Sequence, residues 1–182
     1  QPVPGMNTRP TTDRVKENVF NLIQDHVRGA RVLDLFAGTG QLGIEALSRG
    51  AACCDFVEQN KTAYNIVCKN TQAARVDDRS TVHRAEAAAF LSHAPKQGFD
   101  IIFLDPPYGG RILENALLQI ETFDIVSTDG IIICESAVED AFTHGFSVVR
   151  ERRYGATLIT VLRLRDGGTD EEHENCDLPG QL

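Results

Sequence analysis

Apolar residues fall into two patterns that alternate along this chain. Short, nearly continuous apolar runs occur in RVLDLFAG, CCDFVEQ, STVHRA, FDIIFLD and GIIICES. Runs of this kind are typical of strands in a parallel sheet that is covered on both faces. Between them lie longer segments in which apolar residues recur every three or four positions, as on one face of a helix. Strands that alternate with helices predict βαβ units and therefore an α/β domain.

The helical segments carry end signals that locate their boundaries. The first has apolar residues at helical spacing from Val15 to Val27, and Thr11 or Thr12 is positioned to cap its start. The segment QLGIEALSRG is predicted to end at Gly50, because glycine commonly terminates helices in the left-handed conformation. Three more helices are predicted, in residues 60–74, in EAAAFLSHA and in RILENALLQIETF.

The carboxyl-terminal part of the chain breaks the alternation. FSVVRERRY and TLITVLRL are joined at Gly155-Ala156 and predict an antiparallel hairpin. We therefore expect one doubly wound domain over residues 31–165, with a mostly parallel sheet and an antiparallel edge. Residues 1–30 are predicted to form an N-terminal segment and helix, and residues 166–182 an acidic tail.

Charge is distributed unevenly between the tail and the rest of the chain. The net charge is −8 at pH 7, but residues 166–182 hold six acidic side chains and no Lys or Arg. Residues 1–165 therefore carry about −2, and the first 31 residues lean basic, so an anionic partner is not excluded. No apolar run is long enough to cross a bilayer, and no signal peptide opens the chain. The five cysteines form no CxxC pair and the five histidines lack ligand spacing, which predicts free thiols in the cytoplasm and no metal site.

The candidate chemistry lies where strands end. In doubly wound sheets the ligand binds beyond the carboxyl ends of the strands, near the point where the strand order reverses. Four predicted strand ends would face that rim: residues 34–40, Glu58, Ala85-Glu86 and residues 105–108.

The first of these strand ends is a glycine loop compatible with two cofactors. DLFAGTGQLG contains Gly38-x-Gly40-x-x-Gly43, the dinucleotide fingerprint, and Glu58 lies where a ribose-binding carboxylate is expected. An NAD-dependent oxidoreductase and a protein that binds S-adenosylmethionine (SAM) both fit this pattern. Asp34 favours SAM, because a carboxylate ahead of the glycines would repel a pyrophosphate and attract the cationic amino group and sulfonium.

DLFAGTG resembles the first motif of SAM-dependent methyltransferases, which implies a class I methyltransferase domain with a Rossmann-like, seven-stranded sheet. By this resemblance the loop holds the methionine part of SAM, and Glu58 holds the ribose hydroxyls. Glu86 would lie near the adenine edge. The cofactor-binding residues so implied are Asp34, Phe36, Gly38, Thr39, Gly40, Glu58 and Glu86.

The stretch DPPY ends the strand FDIIFLD abruptly, because proline has no amide hydrogen for a sheet ladder. An exocyclic amine of a base is a poor nucleophile, since its lone pair is delocalised into the ring. Asp105 and the carbonyl of Pro106 supply two acceptors that can orient such an amine, and Pro107 makes the turn rigid. Tyr108 offers a ring on which an extruded base can stack. DPPY resembles the [D/N]PP[Y/F] motif of amino-group methyltransferases, and nothing in the chain resembles the acid or base of hydride transfer.

RPTTDRVKENVFNLI, RVLDLFAGTGQLGIEALSRGA, FVEQN and DPPY occur in this order in the RsmD family, whose members methylate guanine N2 at position 966 of 16S rRNA. The resemblance spans residues 9–164. It implies that RPTTDR closes over the cofactor and helps to admit RNA, with Arg9 and Arg14 contacting phosphate and Thr12 lining the site. Family members usually carry a basic segment before RPTTDR, and we expect such a segment upstream of Gln1.

We therefore predict a SAM-dependent rRNA guanine-N2 methyltransferase that acts in the cytoplasm as a monomer on 16S rRNA or the small ribosomal subunit. One alternative is an amino-methyltransferase that acts on DNA adenine or on a protein glutamine. The other is a non-catalytic ribosome-assembly factor with the same fold, for which Asp105 would be dispensable.

Overall fold

The computed structural model describes residues 13–107, 110–140 and 142–165. Its described strands form one seven-stranded sheet: β1 (Arg31–Asp34), β2 (Cys53–Val57), β3 (Ser80–His83), β4 (Phe99–Leu104), β5 (Val126–Ala137), β6 (Ser147–Tyr154) and β7 (Thr157–Arg163). The strand order is β3-β2-β1-β4-β5-β7-β6. Strands β1 to β5 pair in parallel, whereas β7 is antiparallel to both β5 and β6. The predicted sheet and its antiparallel hairpin are confirmed.

The described helices are α1 (Asp13–Leu22), α2 (Gln24–Val27), α3 (Gln41–Ser48), α4 (Lys61–Ala73), α5 (Ala87–Leu91) and α6 (Gly110–Thr122), with a short 3₁₀ turn at Asp77–Arg79. The continuous helix predicted up to Val27 is interrupted at Ile23, whose backbone leaves the helical conformation at φ −116° and ψ 12°. Its carbonyl accepts from His26 N at 2.9 Å and so starts a new turn. The predicted stop after α3 is confirmed, because Gly50 has a φ of +99°.

Two cores cover the two faces of the sheet. Neighbouring residues of β4 point to opposite sides, so that Ile101 and Phe103 belong to one cluster and Ile102 and Leu104 to the other. Helices α1, α3 and α4 pack on the first side, which we call the α1 face, and α5 and α6 pack on the second, the α6 face. Burial on both sides explains why FDIIFL shows no polar alternation.

Helix α1 packs into the same core as the sheet. Its Phe20 side chain is fully buried and its ring centroid lies 5.8 Å from that of Phe103. The boundaries predicted at residues 30 and 165 stay predictions, and the acidic tail, residues 166–182, lies outside the described residues. Of the five cysteines, Cys53, Cys54, Cys68 and Cys134 are described and are free thiols.

Candidate functional site

The sheet order brings the predicted strand ends together. Strand β1 lies between β2 and β4, so the chain crosses from β1 outward in both directions at this point. This reversal of strand order is where doubly wound sheets form a ligand crevice. Because β3, β2, β1 and β4 are parallel neighbours, their carboxyl ends meet at one edge, which we call the rim. Asp34 is the last residue of β1, Glu58 and Asp105 directly follow β2 and β4, and Glu86 lies three residues after the end of β3.

The glycine loop between β1 and α3 is held to both neighbouring strands. Leu35 N donates to the Phe103 carbonyl at 3.2 Å, and Ala37 N donates to the Val57 carbonyl at 3.0 Å. Gly38 and Gly40 have φ values of +55° and +79°, in the left-handed region that favours glycine. The loop is therefore a fixed turn whose backbone stands at the rim.

Glu58 fastens the loop to the end of β2. Its Oε2 accepts a hydrogen bond from Gly38 N at 2.9 Å, and its Oε1 accepts from Asn60 N at 2.7 Å. A carboxylate has about four lone-pair positions, so two accepted bonds leave room for hydroxyl donors. The sequence predicts that Glu58 binds the ribose hydroxyls. The structure shows in addition that Glu58 holds the glycine loop in place.

Asp34 is buried beneath the loop, and only 3% of its surface is exposed. Its Oδ2 accepts a hydrogen bond from Gly43 N, in the first turn of α3, at 3.1 Å. Burial raises the pKa of this carboxyl to about 7; the Gly43 hydrogen bond lowers it, and the charge of Glu58 raises it. A nearby cation would stabilise the charged form of this carboxylate. The sequence predicts the same role for Asp34, which is to attract a cationic group of the cofactor.

Two asparagines to which the sequence assigned no role lie near the rim, and one of them contacts the glycine loop. The side chain of Asn70 in α4 donates to the Thr39 carbonyl at 2.9 Å. Asn60 caps α4 by accepting from the backbone N–H of Thr62 and of Ala63. The cap was recognisable, because Asn directly before a helix is a common cap. No local signal marks Asn70, which lies 31 residues from its partner.

Gly43, in the first turn of α3, lies directly against side chains of β2. A Cβ atom on Gly43 would lie 2.3 Å from Phe56 Cε1 and 2.7 Å from Cys54 Sγ. We expect Gly43→Ala to lower the free energy of unfolding by about 1–3 kcal/mol, as overpacking of a core does. Chemical denaturation measures this effect. Gln41→Ala, at an exposed position of the same helix, is the control and should stay within about 0.5 kcal/mol; equal stabilities of the two variants would contradict the prediction.

Asp105 and Pro106 follow β4 and are half-buried, whereas Pro107 is exposed. The preceding residue, Leu104, is buried and pairs with Cys134 of β5. Asp105 is therefore carried on the end of a central strand whose position is set by pairing on both sides. Tyr108 lies outside the described residues.

The remaining predicted site residues are Glu86, Phe36, Arg9, Thr12 and Arg14. Glu86 is exposed at the start of α5, and its side chain makes no capping hydrogen bond there. Phe36 is half-buried and packs against the core on the α6 face. Arg9 and Thr12 lie outside the described residues, and although Arg14 belongs to α1, its side chain is not described.

A cavity of about 640 Å³ lies away from these residues. Its lining includes the first residues of three strands, namely Arg31, Cys53 and Phe99, so it opens toward the opposite edge of the sheet. Within the described ranges, no group of three or more His, Cys, Asp or Glu residues is placed to hold a metal ion. No described helix is both long enough and apolar enough to cross a membrane.

Comparison with known proteins gives consistent matches. The family described as "Conserved hypothetical protein 95" matches residues 1–163. "Putative rRNA methyltransferase YlbH" of Bacillus subtilis (strain 168) is 42% identical over 168 residues, which cover 90% of this chain and 91% of the relative. "Ribosomal RNA small subunit methyltransferase D" of Escherichia coli (strain K12) is 35% identical over 137 residues, covering 75% of this chain and 67% of the relative.

A solved structure shows the same fold. The RNA methyltransferase from Salinibacter ruber, crystallised in complex with S-adenosyl-L-homocysteine, superposes with a TM-score of 0.68. The match covers 88% of this chain and 97% of that chain at 16% identity. At this identity the likeness establishes the shared architecture and nothing finer.

Proposed function

Because the chain belongs to the RsmD family, we propose that it is a SAM-dependent methyltransferase that modifies the N2 amine of a guanine, at position 966, in 16S rRNA. The observation that carries this proposal is the rim, where a glycine loop, two carboxylates that hold it and the acidic turn after β4 lie at adjacent strand ends. The names of the relatives support an rRNA substrate, and the arrangement of acceptors supports an amine.

The residues at the rim fit SAM better than a dinucleotide. Asp34 is a buried carboxylate whose pKa is raised to about 7, so a neighbouring cation would stabilise its charged form. A pyrophosphate would bring further negative charge to the same place. The carboxylate of Glu58 can still accept from ribose hydroxyls while it holds Gly38.

Asp105 and Pro106 would act on the acceptor amine. Bound SAM supplies an electrophilic methyl group, so the residues of the chain have only to bring the amine lone pair toward it. The Asp105 carboxylate and the Pro106 carbonyl can each accept one N–H of the amine and turn its lone pair out of conjugation. The nitrogen carries a positive charge once it is methylated and then releases a proton, so no strong base is required beforehand.

Transfer of labelled methyl to RNA tests this function directly. Small ribosomal subunits from cells that lack this gene are incubated with the protein and methyl-labelled SAM, and the modified nucleoside is identified by mass spectrometry. We expect N2-methylguanosine at a single site of 16S rRNA. The same assay with adenine-containing DNA and with glutamine-containing protein tests the alternative amino acceptors.

The outcomes separate the candidate functions. Methylation of DNA adenine or protein glutamine in place of RNA would move the activity to another amino acceptor. No transfer to any acceptor, together with binding of the protein to subunits, would favour the non-catalytic assembly factor. A thermal-shift titration tests the cofactor separately, because SAM should raise the melting temperature and NAD should not.

A further inference from the structure

The edge strand β6 is basic in a chain that is acidic overall. It carries Arg150, Arg152 and Arg153 against a single acidic residue, Glu151, and is exposed along nearly its whole length. Its net charge is therefore +2, whereas the chain as a whole carries −8. Charged residues on an edge strand help to prevent aggregation, but either sign would serve that purpose. Protection against aggregation therefore does not explain why the net charge of β6 is positive.

A bulge decides which way the arginines point. Val148 pairs with Leu162 and Arg150 pairs with Val161, so Val149 is an extra residue without a partner in the ladder. A bulge of this kind reverses the facing of every residue that follows it. Arg150 and Arg152 consequently share the α1 face with their partners Val161 and Ile159, which belong to that core.

The same register places the third arginine on the other side. Arg153 pairs with Leu158 and lies on the α6 face, as does Glu151, which pairs with Thr160. One strand thus presents two arginines to the α1 face and one arginine beside a glutamate to the opposite face.

These arginines are not engaged in ion pairs among the described residues. Arg31, Arg49 and Arg79 each form a salt bridge with a carboxylate. By contrast, the contacts described for Arg152 and Arg153 are single hydrogen bonds to backbone carbonyls, of Glu151 at 2.8 Å and of Gly155 at 3.0 Å. A guanidinium has five N–H donors in a planar fork that matches phosphate oxygens, so most of that capacity remains.

Helix α1 lies on the α1 face and connects that face with the rim. Lys16 Nζ lies 3.9 Å from Glu45 Oε2, and the Arg49 guanidinium lies 4.9 Å above the Phe20 ring. Helix α1 therefore runs alongside α3 in the same direction and begins at the rim, where α3 begins. Strand β6 is three strands from β4, which corresponds to about 14 Å at the usual spacing.

We propose that Arg150 and Arg152 bind phosphates of the RNA strand that presents its target base to Asp105. This inference rests on the proposed function and adds the surface along which the RNA lies. An RNA strand on the α1 face would pass the start of α1 and reach the carboxyl end of β4. Two phosphate contacts also offset the electrostatic repulsion that an RNA strand meets from an acidic protein.

Salt-dependent RNA binding tests the proposal, with the full chain and a 16S rRNA fragment that contains the target base. Arg150→Gln/Arg152→Gln is compared with Arg153→Gln, which removes the same charge type from the opposite face of the same strand. For single-stranded RNA each phosphate contact contributes about 0.7 to the slope of log affinity against log salt, so the double variant should lose roughly 1.4. We expect at least tenfold weaker binding at low salt, and turnover at saturating RNA close to that of the unaltered protein.

Further measurements exclude a folding defect. The melting temperature and the affinity for S-adenosylhomocysteine should be the same in the double variant as in the unaltered protein. Arg150→Lys/Arg152→Lys should restore most of the salt slope, because phosphate contacts need the charge. A lysine variant as weak as the glutamine variant would overturn the phosphate role.

The remaining outcomes distinguish this inference from the proposed function. If the unaltered protein methylates RNA and the double variant matches Arg153→Gln in affinity and slope, the inference is wrong and the function stands. If the loss is seen only with assembled subunits and never with naked RNA, the strand meets a protein partner and the inference is again wrong. If the unaltered protein neither binds nor methylates RNA, both fail.

Discussion

Asp105→Ala should reduce methyl transfer by about 10²–10³-fold while leaving cofactor binding unchanged. This is the range by which one well-placed group that acts mainly in the transition state contributes to rate. Asp105 directly follows the buried end of β4, which pairs with β1 and with β5, so the strand that carries residue 105 should keep its position in the variant. The amine would keep the Pro106 carbonyl as one acceptor and lose the carboxylate that orients its second N–H.

Single-turnover transfer at saturating RNA and SAM measures this loss without interference from product release. Titration with S-adenosylhomocysteine supplies the second readout. Asp105→Asn is the informative companion, because its amide retains one acceptor oxygen without the charge. We expect its rate to lie between those of Asp105→Ala and the unaltered protein.

Transfer by Asp105→Ala within tenfold of the unaltered rate would contradict the proposed role. The enzyme would then position its amine through other groups, and the DPPY turn would only terminate β4. A loss of cofactor affinity equal to the loss of rate would also contradict it, because the residue would then be serving the glycine loop.

The fold was predictable because its signals are local and repeated. Uninterrupted apolar runs such as FDIIFL can be satisfied only where both faces of a strand are buried, and both cores indeed receive side chains from β4. The hairpin was equally accessible from its two strand patterns and the Gly155 turn. The interruption at Ile23 was not, because an apolar periodicity continues unchanged through a short break in the backbone.

The candidate site was predictable as a set of residues and less so as a set of contacts. Residue types at strand ends located Asp34, Glu58 and Asp105 on one rim, since parallel strands end at the same edge. The hydrogen bond from Gly38 N to Glu58 joins two loops that are 20 residues apart in the chain. No local sequence pattern encodes such a contact. The bulge at Val149 is likewise invisible in SVVRERRY, because it is set by pairing with β7.

Replacing Asp34 with Asn should stabilise the cofactor-free protein and weaken the binding of SAM. The pKa of Asp34 is raised to about 7 in the folded state, compared with 3.8 for an ordinary Asp. The folded state therefore binds more protons than the unfolded state between these values, so the stability of the unaltered protein falls as pH rises from about 4 to 7. Asparagine remains neutral and can still accept from Gly43 N.

The expected gain at pH 8 is on the order of 4 kcal/mol, since each pKa unit corresponds to about 1.4 kcal/mol. Denaturant unfolding from pH 4 to 8, compared between the two proteins, measures it as a difference that grows through this range. Asp100→Asn is a control of opposite sign. Arg31 lowers the pKa of Asp100 to about 2, so the charged Asp100 carboxylate stabilises the folded protein at neutral pH. Asp100→Asn should therefore lower the free energy of unfolding.

The affinity for SAM should be lower in Asp34→Asn than in the unaltered protein, although the variant is more stable. If the buried carboxylate meets the cationic amino group of SAM, affinity should increase with pH through about 7 as Asp34 loses its proton, and this increase should disappear in Asp34→Asn. Calorimetric titration at several pH values measures both. A stabilised variant that binds SAM as tightly as the unaltered protein would show that Asp34 shapes the loop through Gly43 and contributes no charge to the cofactor. A variant that is both more stable and a weaker binder would show instead that the chain retains a destabilising buried charge because the cofactor requires it.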